Sequence, residues 1–418
     1  LNTPTIYTDA AVDTHLNTGT AASGEVLSWT GSDYDWITSG GGTFTADGSD
    51  NLYAIATLPA LTTGTDNFVS GSFAGNSLSS GSHNILVGED AGKNIAEYSN
   101  NIALGQDAGA GIVTGNGNIA IGQASMAAGP TSFANNNTVV GVQAGRAITT
   151  GDSNTFVGYS SGNQATTTRG SIGIGDRALY GSTTSKLTGF YNTGIGYQTG
   201  YDLSTGAYNF LGGYQAGTNL TTGSNNVAIG KGALDLATTG GRNIAIGQDA
   251  MGAGVATEVN GDNIAIGYQA GYNITTGARN ILFSGTSSGA NLTTGSNNFI
   301  AGWGAGNGLT TASEAVLIGS FSGSSYTTVD GIAIGQYASQ YQTSFNNTSV
   351  GKYALTGSSG SSTGRDNVAF GYYAGNLITG SYNTLLGSKS GEAITSGGNN
   401  TVIGYNAEAS SATVSNEI

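Results

Sequence analysis

Cysteine is absent from this sequence, and proline, histidine, methionine and charged residues are scarce. Its 418 residues include 0 Cys, 3 Pro, 2 His and 2 Met, and only 9% are charged, whereas a typical soluble domain is about 25% charged. Without cysteine the chain has neither disulfides nor Cys-ligated metal, so packing and hydrogen bonds must stabilise it. No metal or other cofactor is expected.

The few charges are mostly acidic, with 11 Lys+Arg against 25 Asp+Glu and a net charge of −14. Proteins that bind the phosphate backbone of nucleic acids carry clustered Lys and Arg, and no such cluster occurs, so we expect no nucleic acid partner. The longest apolar stretch, around residues 52–61, is too short to span a bilayer. We therefore expect no membrane insertion.

Glycine is abundant, with 72 residues, and much of it lies in a repeated segment such as NIAIGYQAGYNITTGARN, residues 263–280. The shared pattern is Asn, three mostly apolar residues, Gly, two variable residues and a small residue. Position one is Asn in seventeen of twenty copies, position five is Gly in nineteen, and eleven of nineteen spacings are 17 residues. The copies start at residues 67, 84, 101, 118, 137, 154, 171, 192, 209, 226, 243, 263, 280, 298, 315, 331, 347, 367, 383 and 400.

Each copy has the composition of β-strands and turns. The NIAIG segment is rich in β-branched residues and ends at Gly, and NITTG has the same character. The sequence therefore predicts an all-β fold: a β-solenoid or β-roll of about twenty 17-residue coils, each with two strands and two tight turns. The predicted organisation is an N-terminal hairpin and linker region at 1–62, a repeat shaft at 63–407 and a C-terminal exit segment at 408–418.

Position one and position five are predicted to form the coil corners. Glycine suits a corner that needs positive φ or close backbone approach. Asparagine suits the other corner because its amide bonds local backbone and it tolerates left-handed geometry, and stacked coils could also align it in a ladder. Representative corner residues are Asn118, Gly122, Asn226, Gly230, Asn263, Gly267, Asn400 and Gly404.

Both faces of the first strand are apolar. Positions two and four, such as Ile264 and Ile266, are predicted to fill the coil, and position three is then predicted to face outward. A strand that is apolar on both faces is usually buried on both, so position three is a candidate contact between chains, although its many alanines could simply tolerate exposure. The candidate inter-chain residues are Val139, Phe156, Leu211, Leu282, Leu317 and Leu385.

The N-terminal segment EVLSWTGSDYDWI, residues 25–37, predicts a β-hairpin because two apolar-aromatic runs flank a Gly-Ser-Asp turn. It resembles short hairpin modules of bacteriophage tail fibres, especially those of marine and cyanobacterial phages. The repeats resemble the same proteins and, more loosely, the head repeats of trimeric autotransporter adhesins, which share an N-x-A-I-G core but are usually shorter. This resemblance implies a homotrimeric fibre.

The C-terminal segment EASSATVSNEI, residues 408–418, departs from the repeat. It resembles the segment that precedes a self-cleaving intramolecular chaperone domain in phage fibres. In those proteins the domain trimerises the fibre and removes itself with a serine nucleophile. No residue of this chain matches that domain, so no catalytic residue is transferred.

No catalytic or metal-binding arrangement is evident. The two histidines, His15 and His83, are far apart, and acidic residues do not recur at a fixed position of the coil. Glycine-rich stretches such as residues 304–308 lack the helix and lysine of a phosphate-binding loop. We expect a protein that is not an enzyme.

Aromatic residues often follow the corner glycine, and a corner position would expose them as a broken stripe. Two interpretations stay open: the rings stack and support one another, or their flat faces contact carbohydrate. These candidates for surface recognition are Tyr159, Tyr197, Tyr214, Tyr268, Trp303, Tyr372 and Tyr405.

Together these features predict the structural shaft of a phage tail fibre, located in the virion, which projects a host-attachment function. Its expected partners are two further copies of itself and a glycan or protein of the host cell surface. A bacterial surface adhesin or filament subunit is the main alternative, and a polysaccharide-degrading tailspike is the third.

Overall fold

The computed structural model describes four strands before residue 54 and then residues 63–127, 129, 133–182, 184–253, 261–325, 330–344, 346–358 and 363–418. This part of the chain contains strands and turns and no helix. It divides into two compact units, Leu1–Ser153 and Asn154–Ile418. The all-β prediction is confirmed.

Twenty-four strands are present in the described residues, and most have three residues. In the first unit they are β1 (Glu25–Trp29), β2 (Tyr34–Thr38), β3 (Thr45–Ala46), β4 (Leu52–Tyr53), β5 (Phe68–Ser70), β6 (Ile85–Val87), β7 (Ile102–Leu104), β8 (Ile119–Ile121) and β9 (Thr138–Val140). In the second unit they are β10 (Thr155–Val157), β11 (Ile172–Ile174), β12 (Thr193–Ile195), β13 (Phe210–Gly212), β14 (Val227–Ile229), β15 (Ile244–Ile246), β16 (Ile264–Tyr268), β17 (Ile281–Thr286), β18 (Phe299–Ala301), β19 (Val316–Ile318), β20 (Gly331–Ile334), β21 (Asn347–Val350), β22 (Val368–Phe370), β23 (Thr384–Leu386) and β24 (Thr401–Ile403).

The pairing of the strands makes each unit a β-solenoid. In the first unit β1 and β2 form the expected antiparallel hairpin, β3 and β4 pair antiparallel, and β4 to β9 pair in parallel with their neighbours in sequence. In the second unit β10 to β24 pair in parallel in the same way. Each of the twenty repeats supplies one strand, so one repeat is one coil.

In the described part of the coils, the predicted second strand is not formed. After the first strand, the coil continues through turns and bends to the next copy. This path still bonds to the neighbouring coil, for example through Thr221 N to Thr238 O at 2.8 Å. The turns interrupt the regular ladder because several residues of each coil adopt left-handed φ, as at Gln215 (φ 57), Gly217 (φ 59) and Asn225 (φ 61).

The interior of the coil is filled by position three, not by positions two and four. Leu211, Leu282 and Leu317 are fully buried within one chain, whereas Ile266 at position four is 36% exposed. The predicted assignment of the two faces was therefore wrong, because alternation along a strand does not say which face points inward. The candidates Val139, Phe156, Leu211, Leu282, Leu317 and Leu385 are all core residues with 0% exposure and are closed to any neighbouring chain.

Positions nine and twelve complete the core, and a large side chain at one of them accompanies a small residue at the other. One coil has Gly217 at position nine and the buried Leu220 at position twelve, whereas the next coil has the buried Leu234 at position nine and Ala237 at position twelve. Leu234 adopts φ 54, a conformation that costs a residue with a Cβ roughly 1–2 kcal/mol. Burial of a leucine contributes about 1.5–3 kcal/mol, which offsets that strain and keeps the coil filled.

The position-one asparagines form a buried ladder that crosses the coils. Asn226 Nδ2 donates to Asn209 Oδ1 at 3.0 Å and to Gly240 O at 2.9 Å, and Asn226 Oδ1 accepts from Asn243 N at 3.0 Å. The left-handed residue of this corner is the preceding one, Asn225 (φ 61). Asn118, Asn263 and Asn400 occupy equivalent places, following Gly117, Asp262 and Asn399, which all have positive φ.

The position-five glycines meet both requirements of a tight corner. Gly230 has φ 133, and a Cβ there would lie 2.5 Å from Gly247 O in the next coil. Gly122 combines φ 119 with a Cβ position 2.6 Å from Gly141. Gly267 (φ 132) and Gly404 (φ 133) share the conformation.

Residues 408–418 complete the last coil. Thr401 N donates to Glu417 O at 2.8 Å, and Glu417 N donates to Asn400 Oδ1 at 3.0 Å, so Glu417 takes the place of the next Asn of the ladder. The preceding Asn416 has the left-handed φ of 64. The coil geometry therefore extends beyond residue 407, and the predicted exit segment follows the solenoid path.

Candidate functional site

The corner that follows each strand presents two columns of side chains to solvent, one from position six and one from position seven. Position seven is left-handed in most coils, as at Phe321 (φ 57), Tyr337 (φ 60) and Tyr353 (φ 60). Because successive coils are in register, the side chains at either position lie one strand spacing apart, about 4.8 Å. That spacing is close to the separation at which aromatic rings stack.

The seven aromatic residues predicted for surface recognition all occupy position six, and all are exposed: Tyr159, Tyr197, Tyr214, Tyr268, Trp303, Tyr372 and Tyr405. The rings of Tyr197 and Tyr214 lie 5.1 Å apart with an interplanar angle of 12°, so each covers a face of the other. The guanidinium of Arg177 lies 5.5 Å from the Tyr159 ring centroid. The first contact favours mutual support of the rings for Tyr197 and Tyr214, whereas Tyr159 is covered by a cation.

A second aromatic column at position seven was missed by sequence reasoning. It comprises Phe321, Tyr337, Tyr353 and Tyr373, with centroid separations of 5.5, 5.2 and 4.7 Å. The signal that could have found it is the recurrence of an aromatic residue two places after the corner glycine in four successive coils. Desolvation, followed by the nearby phenols of Tyr372 and Tyr353, raises the pKa of Tyr373 above its ordinary value.

Exposed aromatic residues of position six stand at both ends of this column. Trp303 is 61% exposed and lies 5.4 Å from Phe321 at a tilt of 46°. The following residue, Gly304, has no side chain, and a Cβ there would lie 2.9 Å from the Phe321 ring. At the far end, Tyr372 is 46% exposed and meets Tyr373 edge-on at 4.5 Å.

Between these ends, position six carries Ser320, Gln336 and Lys352. The Lys352 ammonium lies 5.2 Å from the centroid of the Tyr353 ring, a distance at which a cation interacts with the ring face. Neither position carries an acidic residue from Trp303 to Tyr373, whereas the same two positions of other coils carry Glu89, Asp90, Asp107, Asp176 and Asp249.

Among the described residues, no group of three His, Asp or Glu side chains is placed to hold a metal ion. The same part of the chain has no helix of the length and apolarity needed to cross a bilayer. In comparisons with protein-family models, curated proteins and solved structures, nothing matches this chain.

Proposed function

We propose that the protein is the non-enzymatic structural shaft of a phage tail fibre, built from three copies of this chain and holding a host-attachment function away from the virion. The observation that carries the proposal is the outward face of the solenoid strands, formed by positions two and four. The resemblance of the hairpin and repeats to phage tail fibres supports the biological setting.

The outward face is apolar and uncharged in every coil. Fourteen of twenty residues at position two and eighteen of twenty at position four are apolar, and the others are Thr, Ser or Gly. Ile195, Ile229 and Phe370 are examples that remain substantially exposed in a single chain. The chain has a net charge of −14, yet none of its charged residues lies on this face, which distinguishes the face from the rest of the surface.

The size of this face is suited to a stable contact. Fifteen strands spaced by about 4.8 Å, each about 10 Å wide, give roughly 700 Å² in the second unit. The largest apolar patch of a monomeric protein is typically about 300–600 Å², and a stable interface buries about 800 Å² per partner. We therefore infer that this face is buried against a protein partner.

A partner that covers every coil must present apolar side chains at the same strand spacing. A second and a third copy of this chain meet that requirement because their coils have the same rise. The face is only two side-chain columns wide, which suits three chains that converge on a common axis. Association along the whole face would give the stiffness that a shaft requires.

The experiment replaces two exposed position-four residues in the outward face, Ile229→Glu with Ile266→Glu, and measures mass by analytical ultracentrifugation. We expect trimers for the unmodified chain and monomers with unchanged circular dichroism for the variant, since buried unpaired carboxylates oppose association. The matched control carries Thr222→Glu with Thr294→Glu, exposed positions outside the strands, and should stay trimeric. A monomeric unmodified chain, or a trimeric Ile variant, would contradict the proposal.

A further inference from the structure

The corner surface from Trp303 to Tyr373, here called the aromatic strip, combines two kinds of side chain in parallel columns. One column has the contacting rings of Phe321, Tyr337, Tyr353 and Tyr373, and the other has Trp303, Ser320, Gln336, Lys352 and Tyr372. We propose that the aromatic strip is a binding site for a neutral oligosaccharide that lies along the solenoid axis, with Trp303 and Tyr372 as its two stacking platforms.

The ring faces decide which aromatic residues can stack on a ligand. Within the column of four, Phe321, Tyr337 and Tyr353 stack face to face at interplanar angles of 3° and 8°, and Tyr373 is tilted by 38° against Tyr353, so the faces of the inner rings are covered. Trp303 differs because its neighbours along the column are small and leave the indole 61% exposed. They are Ser320 and Thr286, and a register shift between β16 and β17 pairs Thr286 with the position-six residue Tyr268. A tryptophan with this exposure is uncommon, since large aromatic residues are mostly buried.

The two platforms are separated by four coil steps, or about 19 Å. A hydroxyl, an amide and an ammonium, from Ser320, Gln336 and Lys352, lie in the intervening coils. The structure shows no hydrogen bond from the side chains of Ser320 and Gln336 among the described residues. They can therefore donate to and accept from ligand hydroxyls, while apolar ring faces contact the C–H faces of the sugar rings. A few placed polar groups on an apolar surface are the usual composition of a ligand site.

The charges of the strip favour a neutral ligand. It carries one cation, which already interacts with the Tyr353 ring, and no carboxylate. The chain as a whole is strongly acidic, with a net charge of −14, and opposes the approach of a polyanion. A glycan also suits the narrow width of the strip, which offers only two side-chain columns.

The strip does not depend on assembly of the shaft. Position five turns the chain between the outward face and position six, as at Gly319 (φ 125) and Gly335 (φ 135). The platforms therefore lie past the corner, outside the face proposed to join the copies. Failure of the oligosaccharide experiment leaves the mass measurement above unaffected, and the reverse also holds.

The experiment titrates the protein of residues 1–418 with four neutral tetrasaccharides, built of glucose, mannose, galactose and N-acetylglucosamine. It records tryptophan emission and the heat of binding by isothermal titration calorimetry. We expect saturable binding of at least one, weakened about tenfold or more by Trp303→Ala and by Tyr372→Ala, since central aromatic contacts dominate such sites. Trp303→Phe should retain part of the affinity.

The matched control is Tyr197→Ala, which removes an exposed position-six aromatic whose ring is stacked on Tyr214. It should leave the affinity unchanged, and circular dichroism should be the same for all variants. Absence of saturable binding for all four sugars, or equal affinity for Trp303→Ala and the unmodified chain, would overturn the proposal. Binding that is lost equally in Tyr197→Ala would overturn it as well, because the strip would then not be the site.

Discussion

Replacement of a ladder asparagine tests whether the Asn ladder or the apolar core holds neighbouring coils together. In Asn226→Ala, the carbonyl of Gly240 loses its Nδ2 donor and the backbone N–H of Asn243 loses its Oδ1 acceptor. Asn226 and Asn243 are both fully buried, so solvent does not replace these bonds. A buried polar group left unpaired costs about 1–3 kcal/mol, so these two backbone groups alone make the expected loss about 4 kcal/mol.

Hydrogen exchange of the Asn243 amide is the direct readout, because opening of a local unit is measured where it occurs, whereas a melting curve of a repeat protein averages over coils. A loss of about 4 kcal/mol corresponds to roughly thousandfold faster exchange. The control is Asn225→Gly, which removes an exposed amide from the neighbouring residue and keeps its left-handed φ of 61. We expect the control to change exchange by less than about threefold, or roughly 0.6 kcal/mol.

Asn226→Asp adds a dependence on pH. Its carboxylate retains an acceptor for Asn243 but presents a second oxygen, in place of the donor, to the carbonyl of Gly240. Burial disfavours the charged form and raises the pKa of such a carboxyl. Stability should therefore be lowest at neutral pH and should recover as pH falls and the carboxyl gains a proton it can donate. If Asn226→Ala exchanges like Asn225→Gly, the ladder contributes little and the reasoning is refuted.

Two further predictions concern the core and a half-buried acid. Phe156→Ala should lower the free energy of unfolding, measured by urea titration, by about 3–5 kcal/mol, because the ring is fully buried. The control Val157→Ala, on the outward side of the same strand, should lower it by less than half as much. Equal losses would contradict the assignment of the two faces. Burial raises the pKa of Asp235 above its ordinary value of 3.8, so its charged form opposes folding. Asp235→Asn should therefore raise the melting temperature at pH 7. This gain should shrink as pH falls through the raised pKa towards 3.8, because the unmodified carboxyl then becomes neutral as well. A gain that persists undiminished at pH 3 would show that the stabilisation does not come from removing a buried charge.

The repeat pattern was sufficient to predict the β-solenoid and the length of its coils. Periodic Asn and Gly have few alternative explanations, because Gly230 needs both a positive φ and an approach too close for a Cβ. The hairpin of β1 and β2 was likewise evident from two apolar-aromatic runs around a turn. Local chemistry repeated twenty times is a strong signal even in a single sequence.

The candidate site was predicted only in part. Exposed rings at position six were expected from their place after the corner glycine, but the column that contains Tyr337 and Tyr353 was not. The recurrence of an aromatic residue at position seven is visible only when the four copies are aligned with one another. Stacking arises because coils 16–20 residues apart are placed in register, which a local window does not contain.

The sequence by itself determined the period, the strand that opens each coil, the corner glycines and the absence of charge from the coil strands. Only the tertiary structure decided which face of the strand is the interior. Ala265 and Ile264 point to opposite faces and both are apolar, so the alternation of side chains does not identify the inner face. The geometric reason is the turn that follows: Gly267 and the left-handed Gln269 bend the chain towards the side of Ala265, which encloses that side chain and leaves Ile264 outside. The direction of a turn depends on the backbone conformations of several residues and on the volume that one closed coil can hold. Neither can be predicted from the hydrophobic pattern.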